Sequence, residues 1–187
     1  MRKVIFFILC ATVSSFAQPH TQPDAAKIKL RLKKLNFLWT VLYVAAHPDD
    51  ENTRAIAYLS NERLATTGYL SMTRGDGGQN LIGPEIRDQL GVIRTQELLA
   101  ARRIDGGHQF FTRANDFGYS KNATETFRIW NKQEVLSDVV RVMRKFQPDI
   151  ILTRFPPDAR AGHGHHTASA ILAQEAFDLT NDPSAFP

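Results

Sequence analysis

Apolar and polar positions along this chain fall into blocks that alternate between strand-like and helix-like periods. Leu38 to Ala46 is a nearly unbroken apolar run containing Val and Tyr, which predicts a strand buried on both faces. Residues 48–64 then read as a helix, with Pro48 allowed at its first position and Asp49, Asp50 and Glu51 set against its positive end. A second strand, Gly68 to Thr73, opens into the glycine-rich loop Arg74-Gly75-Asp76-Gly77-Gly78-Gln79-Asn80. A helix from about Pro84 to Arg103 follows, with Ile86, Leu90, Ile93, Leu98 and Ala101 broadly on one side. Asp105-Gly106-Gly107 breaks it, and Gln109 to Thr112 reads as a short strand. The stretch to about Trp130 is polar and irregular, and Lys132 to Phe146 is an amphipathic helix carrying Val135, Leu136, Val139, Val142, Met143 and Phe146. Asp149 to Thr153, after Pro148, is another buried-type strand. A loop with Pro156-Pro157 runs into Ala161-Gly162-His163-Gly164-His165-His166, and a last helix spans about Thr167 to Phe177.

Strands alternating with helices predict an α/β fold, a Rossmann-like doubly wound, mostly parallel sheet with helices on both faces. The polar, glycine-rich or histidine-rich loops that begin at His47, Arg74 and Phe155 all follow the carboxyl ends of strands. Open parallel sheets bind ligands at that edge, so three separate stretches are expected to meet in one crevice.

Composition narrows the picture. The chain has 187 residues, 43% of them apolar and 22% charged, with a single Cys. That is enough chain for one ordinary domain, too apolar to be disordered, and too poor in Cys for a disulfide scaffold or an iron–sulfur site. Arg2-Lys3, the apolar stretch Val4 to Val13 and the small residues Ser15 and Ala17 read as a secretory signal peptide over 1–17, cut after Ala17. This stretch is too short for a stable membrane anchor. Leu9 stands before Cys10 where lipidation needs a small residue, so the expected product is a secreted or periplasmic protein without cysteine. Removing Arg2 and Lys3 takes the formal net charge from +4 to +2. Residues 18–37 are expected to form an N-terminal docking helix and linker around Lys27 to Lys34. The cations there read as a solvated face rather than a nucleic-acid or membrane surface, because no aromatic residues interleave them. Residues 38–187 form the main domain.

Four of the six histidines lie in two of the three crevice loops. His47 and Asp50, three apart in a strand-to-helix turn, can reach one metal ion, while Asp49 points elsewhere and stays free. His163, His165 and His166 offer further imidazoles at the start of another helix. Two imidazoles, a carboxylate and an open position make the donor set of a hydrolytic zinc site. The loop at Gly75 to Gly78 lacks the full dinucleotide spacing and reads as a tight turn with polar groups, Arg74 and Asp76, facing the crevice. Arg94 and Glu97 on the next helix either pair with each other or help order that loop.

Ala45-Ala46-His47-Pro48-Asp49-Asp50-Glu51, Thr73-Arg74-Gly75-Asp76-Gly77-Gly78, Arg94 with Glu97, and Gly162-His163-Gly164-His165-His166 together resemble the PIG-L/LmbE-like family of zinc-dependent de-N-acetylases. The resemblance covers roughly residues 38 to 180 and, with Asp116-Phe117-Gly118-Tyr119 and the export signal, points to a secreted bacterial branch. It implies that His47, Asp50 and His166 are the zinc ligands and Asp49 the general base. It makes His163 the residue that stabilises the oxyanion or protonates the leaving amine. Zn²⁺ is the implied cofactor, with Fe²⁺ or another divalent first-row ion as a substitute. An N-acetylglucosamine-type amide on a small molecule or glycoconjugate is the implied substrate.

Two departures stand out. The family often has His-Pro-Asp-His in its second motif, and here Gly164 and His165 replace the middle pair, which removes a carboxylate and leaves His165 as a rival ligand beside His166. The chain also stops at Pro187, where relatives continue, so a C-terminally truncated domain with an open sheet edge is expected. The rivals to a deacetylase are a metal- and sugar-binding module without turnover, and a metallohydrolase for another amide or a phosphoester.

Overall fold

The computed structural model describes residues 22–187. The expected signal peptide and Cys10 lie outside the described residues. Four strands form one parallel sheet: β1 (Thr40–Ala45), β2 (Thr66–Ser71), β3 (His108–Phe111) and β4 (Ile150–Thr153), in the order β3-β2-β1-β4. The helices are α1 (Ala25–Lys34), α2 (Thr53–Ala57, continued by a wider π turn over Tyr58–Glu62), α3 (Asp88–Asp105), α4 (Ala123–Ile129), α5 (Lys132–Phe146) and α6 (Gly164–Thr180). None of them is long and apolar enough to cross a membrane.

β1 lies between β2 and β4 and is fully enclosed, as its unbroken apolar sequence requires. Leu42, Val44, Leu70 and Met72 point to one face, where they meet Val135, Leu136, Val139, Val140 and Met143 of α5 and Ala168, Leu172, Ala173 and Ala176 of α6. Tyr43, Ala45 and Tyr69 point to the other face and pack on Ile56 of α2 and Leu98 of α3. Helices therefore cover both faces of a Rossmann-like sheet. From β1 the chain goes outward to β2 and β3, then returns to the opposite side of β1 at β4. That reversal opens a crevice beyond the carboxyl ends of β1 and β4.

The structure corrects several expected boundaries. Residues 48–52 are not the first turn of a helix: α2 starts only at Thr53, where the Asn52 side chain accepts the Ala55 amide at 3.0 Å. The segment before α5 is not irregular throughout, because it contains α4. There the Asn122 side chain caps the Glu125 amide at 2.9 Å and the Glu125 carboxylate returns to the Lys121 amide at 2.7 Å, a near-reciprocal cap. The last helix starts three residues earlier than expected, so His165 and His166 belong to its first turn. β4 is less enclosed than its composition suggests, with Ile150 44% and Leu152 38% exposed. Among the described residues α1 buries none of its side chains, so the expected docking is not seen there.

Candidate metal centre

His47 to Asp50 leave the end of β1 as a tight turn closed by the Asp50 amide on the His47 carbonyl at 3.3 Å. Its orientation is set from beneath by the Tyr69 hydroxyl, which donates to the His47 carbonyl, and by Thr73 Oγ1, which donates to the Ala46 carbonyl at 3.0 Å. The Asp50 carboxylate turns back over the strand end. Its Oδ2 accepts the backbone amides of His47 at 2.7 Å and Ala46 at 3.2 Å, and it lies 3.1 Å from His47 Nδ1. The next residue, Glu51, is buried against Arg102, which also forks onto Asp105 with contacts down to 2.6 Å. This buried pair pins the far side of the turn to α3 and was not legible in the sequence.

The second motif enters from α6. His163 is the helix N-cap, its Nδ1 accepting the His165 amide at 3.0 Å, so the neutral ring carries its proton on Nε2. His165 and His166 follow on different faces. His165 turns inward and is fully buried, while His166 faces the crevice, stacked on Phe155 with ring centroids 3.7 Å apart. His166 Nδ1 donates to the Ala161 carbonyl at 3.2 Å, which leaves the lone pair of Nε2 facing Asp50 Oδ1 at 3.4 Å.

The donor chemistry fits a divalent cation. A bare imidazole nitrogen and a carboxylate oxygen held 3.4 Å apart repel each other unless a cation lies between them. His47 Nδ1 lies 3.1 Å from one Asp50 oxygen and His166 Nε2 3.4 Å from the other, so the carboxylate stands between the two rings. Among the described residues two overlapping groups can hold an ion, His47 with Asp50 and His166, and His47 with His163 and His165, each with its donor atoms within 4.8 Å of one another. The first alone contributes a carboxylate; each contains one pair at hydrogen-bond spacing, His47 Nδ1 and Asp50 Oδ2 at 3.1 Å in the first and His47 Nε2 and His165 Nδ1 at 2.9 Å in the second.

Electrostatics follow the same division. Burial works against charge on Asp50, but the His166 and His47 imidazoles beside it outweigh burial and hold the carboxyl well below the usual carboxylate range. Burial likewise disfavours protonated His47, and the Asp50 carboxylate overrides it and raises its pKa. His163 is lowered to about 4 and His165 to about 3, in both cases by burial first and then by the neighbouring imidazoles. Both rings are therefore neutral near pH 7.

The remaining candidates are placed as follows. Asp49 is 68% exposed and pairs with Arg94 Nη2 at 3.3 Å. Arg94 reaches it by lying across Gly75, whose positive φ of 70° and missing Cβ make room for the guanidinium. Arg94 also lies 3.9 Å from Glu97, so it both pairs along its helix and orders the loop. Arg74 turns toward the outside of the sheet, donating to Thr95 at 3.0 Å and lying over Phe111, and Asp76 accepts the Asp116 amide at 3.3 Å. Gly164 fits where nothing larger does, since a Cβ would overlap the Ser120 hydroxyl, the Asn122 carbonyl and the Thr126 hydroxyl. Gly164→Ala is expected to cost about 1–3 kcal/mol of stability, read from urea unfolding, and to disturb the candidate metal site by shifting the residues on either side.

A family model described as GlcNAc-PI de-N-acetylase (PIG-L) matches residues 42–177. The 1D-myo-inositol 2-acetamido-2-deoxy-alpha-D-glucopyranoside deacetylase of Streptomyces scabiei is 29% identical over 165 residues, 79% of this chain and 50% of its own. The chain spans about half the length of the curated relatives it matches. Two solved structures share the fold at 22% identity. The N,N'-diacetylchitobiose deacetylase of Pyrococcus horikoshii has a TM-score of 0.60 over 87% of this chain and 58% of its own. The 4-carboxy-2-hydroxymuconate hydratase GalB of Pseudomonas putida has a TM-score of 0.59 over 80% and 60%.

Proposed function

The chain belongs to the PIG-L family of GlcNAc-PI de-N-acetylases, and from that premise we propose that it is a metal-dependent hydrolase removing the N-acetyl group from an N-acetylglucosamine-type substrate. The convergence of His47, Asp50 and His166 outside the carboxyl end of β1 carries this reading. Zn²⁺ is the ion proposed, with Fe²⁺ or another first-row divalent ion able to use the same nitrogen and oxygen donors. When bound, the ion supplies Lewis acidity and makes water a competent nucleophile near neutral pH.

Asp49, left free of the donor set, takes the proton of the attacking water as the water adds to the acetamide carbonyl. It then delivers that proton toward the departing amine nitrogen. His163, neutral with its proton on Nε2, donates to the carbonyl oxygen as negative charge develops on it. Arg94 holds the Asp49 carboxylate in place from α3. The names of the inositol and chitobiose deacetylases support an acetylated amino sugar as the substrate class. The basic-then-apolar start of the chain supports export to the periplasm or beyond.

A hydratase shares the fold, so the architecture does not choose the chemistry; acetate release does. The chain is stripped with a chelator, assayed on N-acetylglucosamine derivatives, and assayed again after one equivalent of Zn²⁺ is returned. Acetate is expected only with the metal present. Stoichiometric zinc binding without acetate release supports the sugar-binding module instead, and a protein that takes up no zinc removes the reading.

A further inference from the structure

We infer that His165 is a positioning residue of the metal site: its Nδ1 accepts the Nε2 proton of His47 and thereby leaves His47 Nδ1 bare to face Asp50. The inference rests on the proposed site of His47, Asp50 and His166. It goes beyond that site by giving a task to the one histidine of the cluster that is neither a ligand nor a group acting on substrate.

The geometry carries the assignment. His47 Nε2 and His165 Nδ1 are 2.9 Å apart, and His47 Nδ1 is 3.1 Å from Asp50 Oδ2. A neutral imidazole has one proton. If it lies on Nδ1, it is spent on the carboxylate and His47 has no lone pair for an ion on that side. If it lies on Nε2, it is donated to His165, and Nδ1 joins Asp50 and His166 as a donor. Histidine ligands generally owe their orientation to such an acceptor behind the ring. Here the acceptor is a second imidazole rather than a carboxylate. The nearest carboxylate, Asp116, is 3.8 Å from His165 Nδ1 and is engaged with the Gly118 amide at 2.9 Å.

His165 is built to stay still. It is fully buried, stacked on Trp130 with ring centroids 4.8 Å apart, and met edge-on by Phe117 at 4.3 Å. Trp130 is itself fixed by its indole N–H on the Asn115 carbonyl at 2.8 Å. Among the described residues His165 Nε2 has no polar partner. In the assigned arrangement that atom carries the ring's one proton, because Nδ1 is the acceptor toward His47.

The test compares the chain with its His165→Leu and His165→Asn variants. Zinc affinity is measured by chelator competition, and urea unfolding is measured on the metal-free proteins. Asn keeps an acceptor oxygen close to the position of Nδ1; Leu does not. His165→Leu is expected to weaken zinc about 10–100-fold, and His165→Asn to stay within about threefold of the parent, whatever their unfolding midpoints. Imidazole ¹⁵N shifts of the zinc-loaded parent are expected to place the His47 proton on Nε2, a readout that does not depend on either variant folding. Unchanged affinity in His165→Leu, or a His47 proton on Nδ1, overturns the assignment and leaves the metal site standing. Affinity that falls equally in both variants, in step with stability, makes His165 merely structural and also overturns it. A parent that binds no zinc removes the site and the assignment together.

Discussion

Asp50→Asn is expected to abolish stoichiometric zinc binding, and acetate release with it, while leaving the fold intact. The Asp50 carboxylate faces four groups at once, the amides of Ala46 and His47 and the rings of His47 and His166. An asparagine oxygen still accepts the two amides, and its NH₂ then turns toward the bare Nε2 of His166, replacing a repulsion by a hydrogen bond. The metal-free variant should therefore unfold within about 1 kcal/mol of the parent, the net worth of one such hydrogen bond. The ion loses the one negative charge in its donor set. That loss should exceed the 10–100-fold cost of removing a partner behind a ligand, so no binding is expected in the micromolar range. Isothermal titration with Zn²⁺, next to urea unfolding of the same preparations, separates the two effects. One equivalent of zinc retained by Asp50→Asn would move the ion to His47, His163 and His165, the overlapping group. Loss of both zinc and fold would make the carboxylate structural first.

How much of this site the sequence reveals depends on the range of the interactions that build it. Local patterns were readable: α5 occupies Lys132–Phe146, as its amphipathic spacing predicts, and β1 lies within the apolar run from Leu38 to Ala46. His47 and Asp50 meet as their spacing suggests, but through a tight turn rather than a helical one. Asp50 spends its carboxylate on the strand end instead of on a helix N-terminus, and the helix start passes to Asn52. α4 had a signal in Asn122 followed three residues later by Glu125, the cap that opens it. The exposed Ile28 and Leu32 of α1, with Leu35 at its C-cap, show the limit of periodicity, which gives a helix its stripe but not a surface to cover it. What acts over long sequence separations was not readable. No spacing announces that Arg102 reaches Glu51, 51 residues away, or that Trp130 and Phe117 wall in His165. Which of His165 and His166 turns inward and which faces the crevice is of the same kind. Adjacent residues in the first turn of α6 point to different sides, and only the packing of α6 on the sheet decides which side is the crevice.

Asp49→Asn should separate what Asp50→Asn removes together: zinc stays and turnover goes. Asp49 is adjacent in sequence but lies outside both groups of candidate ligands, and its carboxylate is 68% exposed at the crevice edge. Asparagine keeps an acceptor oxygen for Arg94, so the turn and the lie of the guanidinium across Gly75 are preserved. An exposed ion pair of this kind contributes ~0–1 kcal/mol, so stability should hardly move. What disappears is basicity. A positioned general base is worth about 10²–10⁴ in rate, and kcat for acetate release should fall by that factor while zinc affinity stays within about threefold of the parent. Arg94→Gln tests the positioning step separately. It leaves the base in place but unclamped, so a smaller loss of about tenfold is expected, of the order associated with disturbing a supporting contact. Steady-state acetate release at saturating zinc, measured for all three proteins, checks the series. Full activity in Asp49→Asn would transfer the base to another residue, His163 first among them because it lies against His47. Loss of zinc in Asp49→Asn would instead make Asp49 a ligand and reverse the division of labour between the two adjacent aspartates.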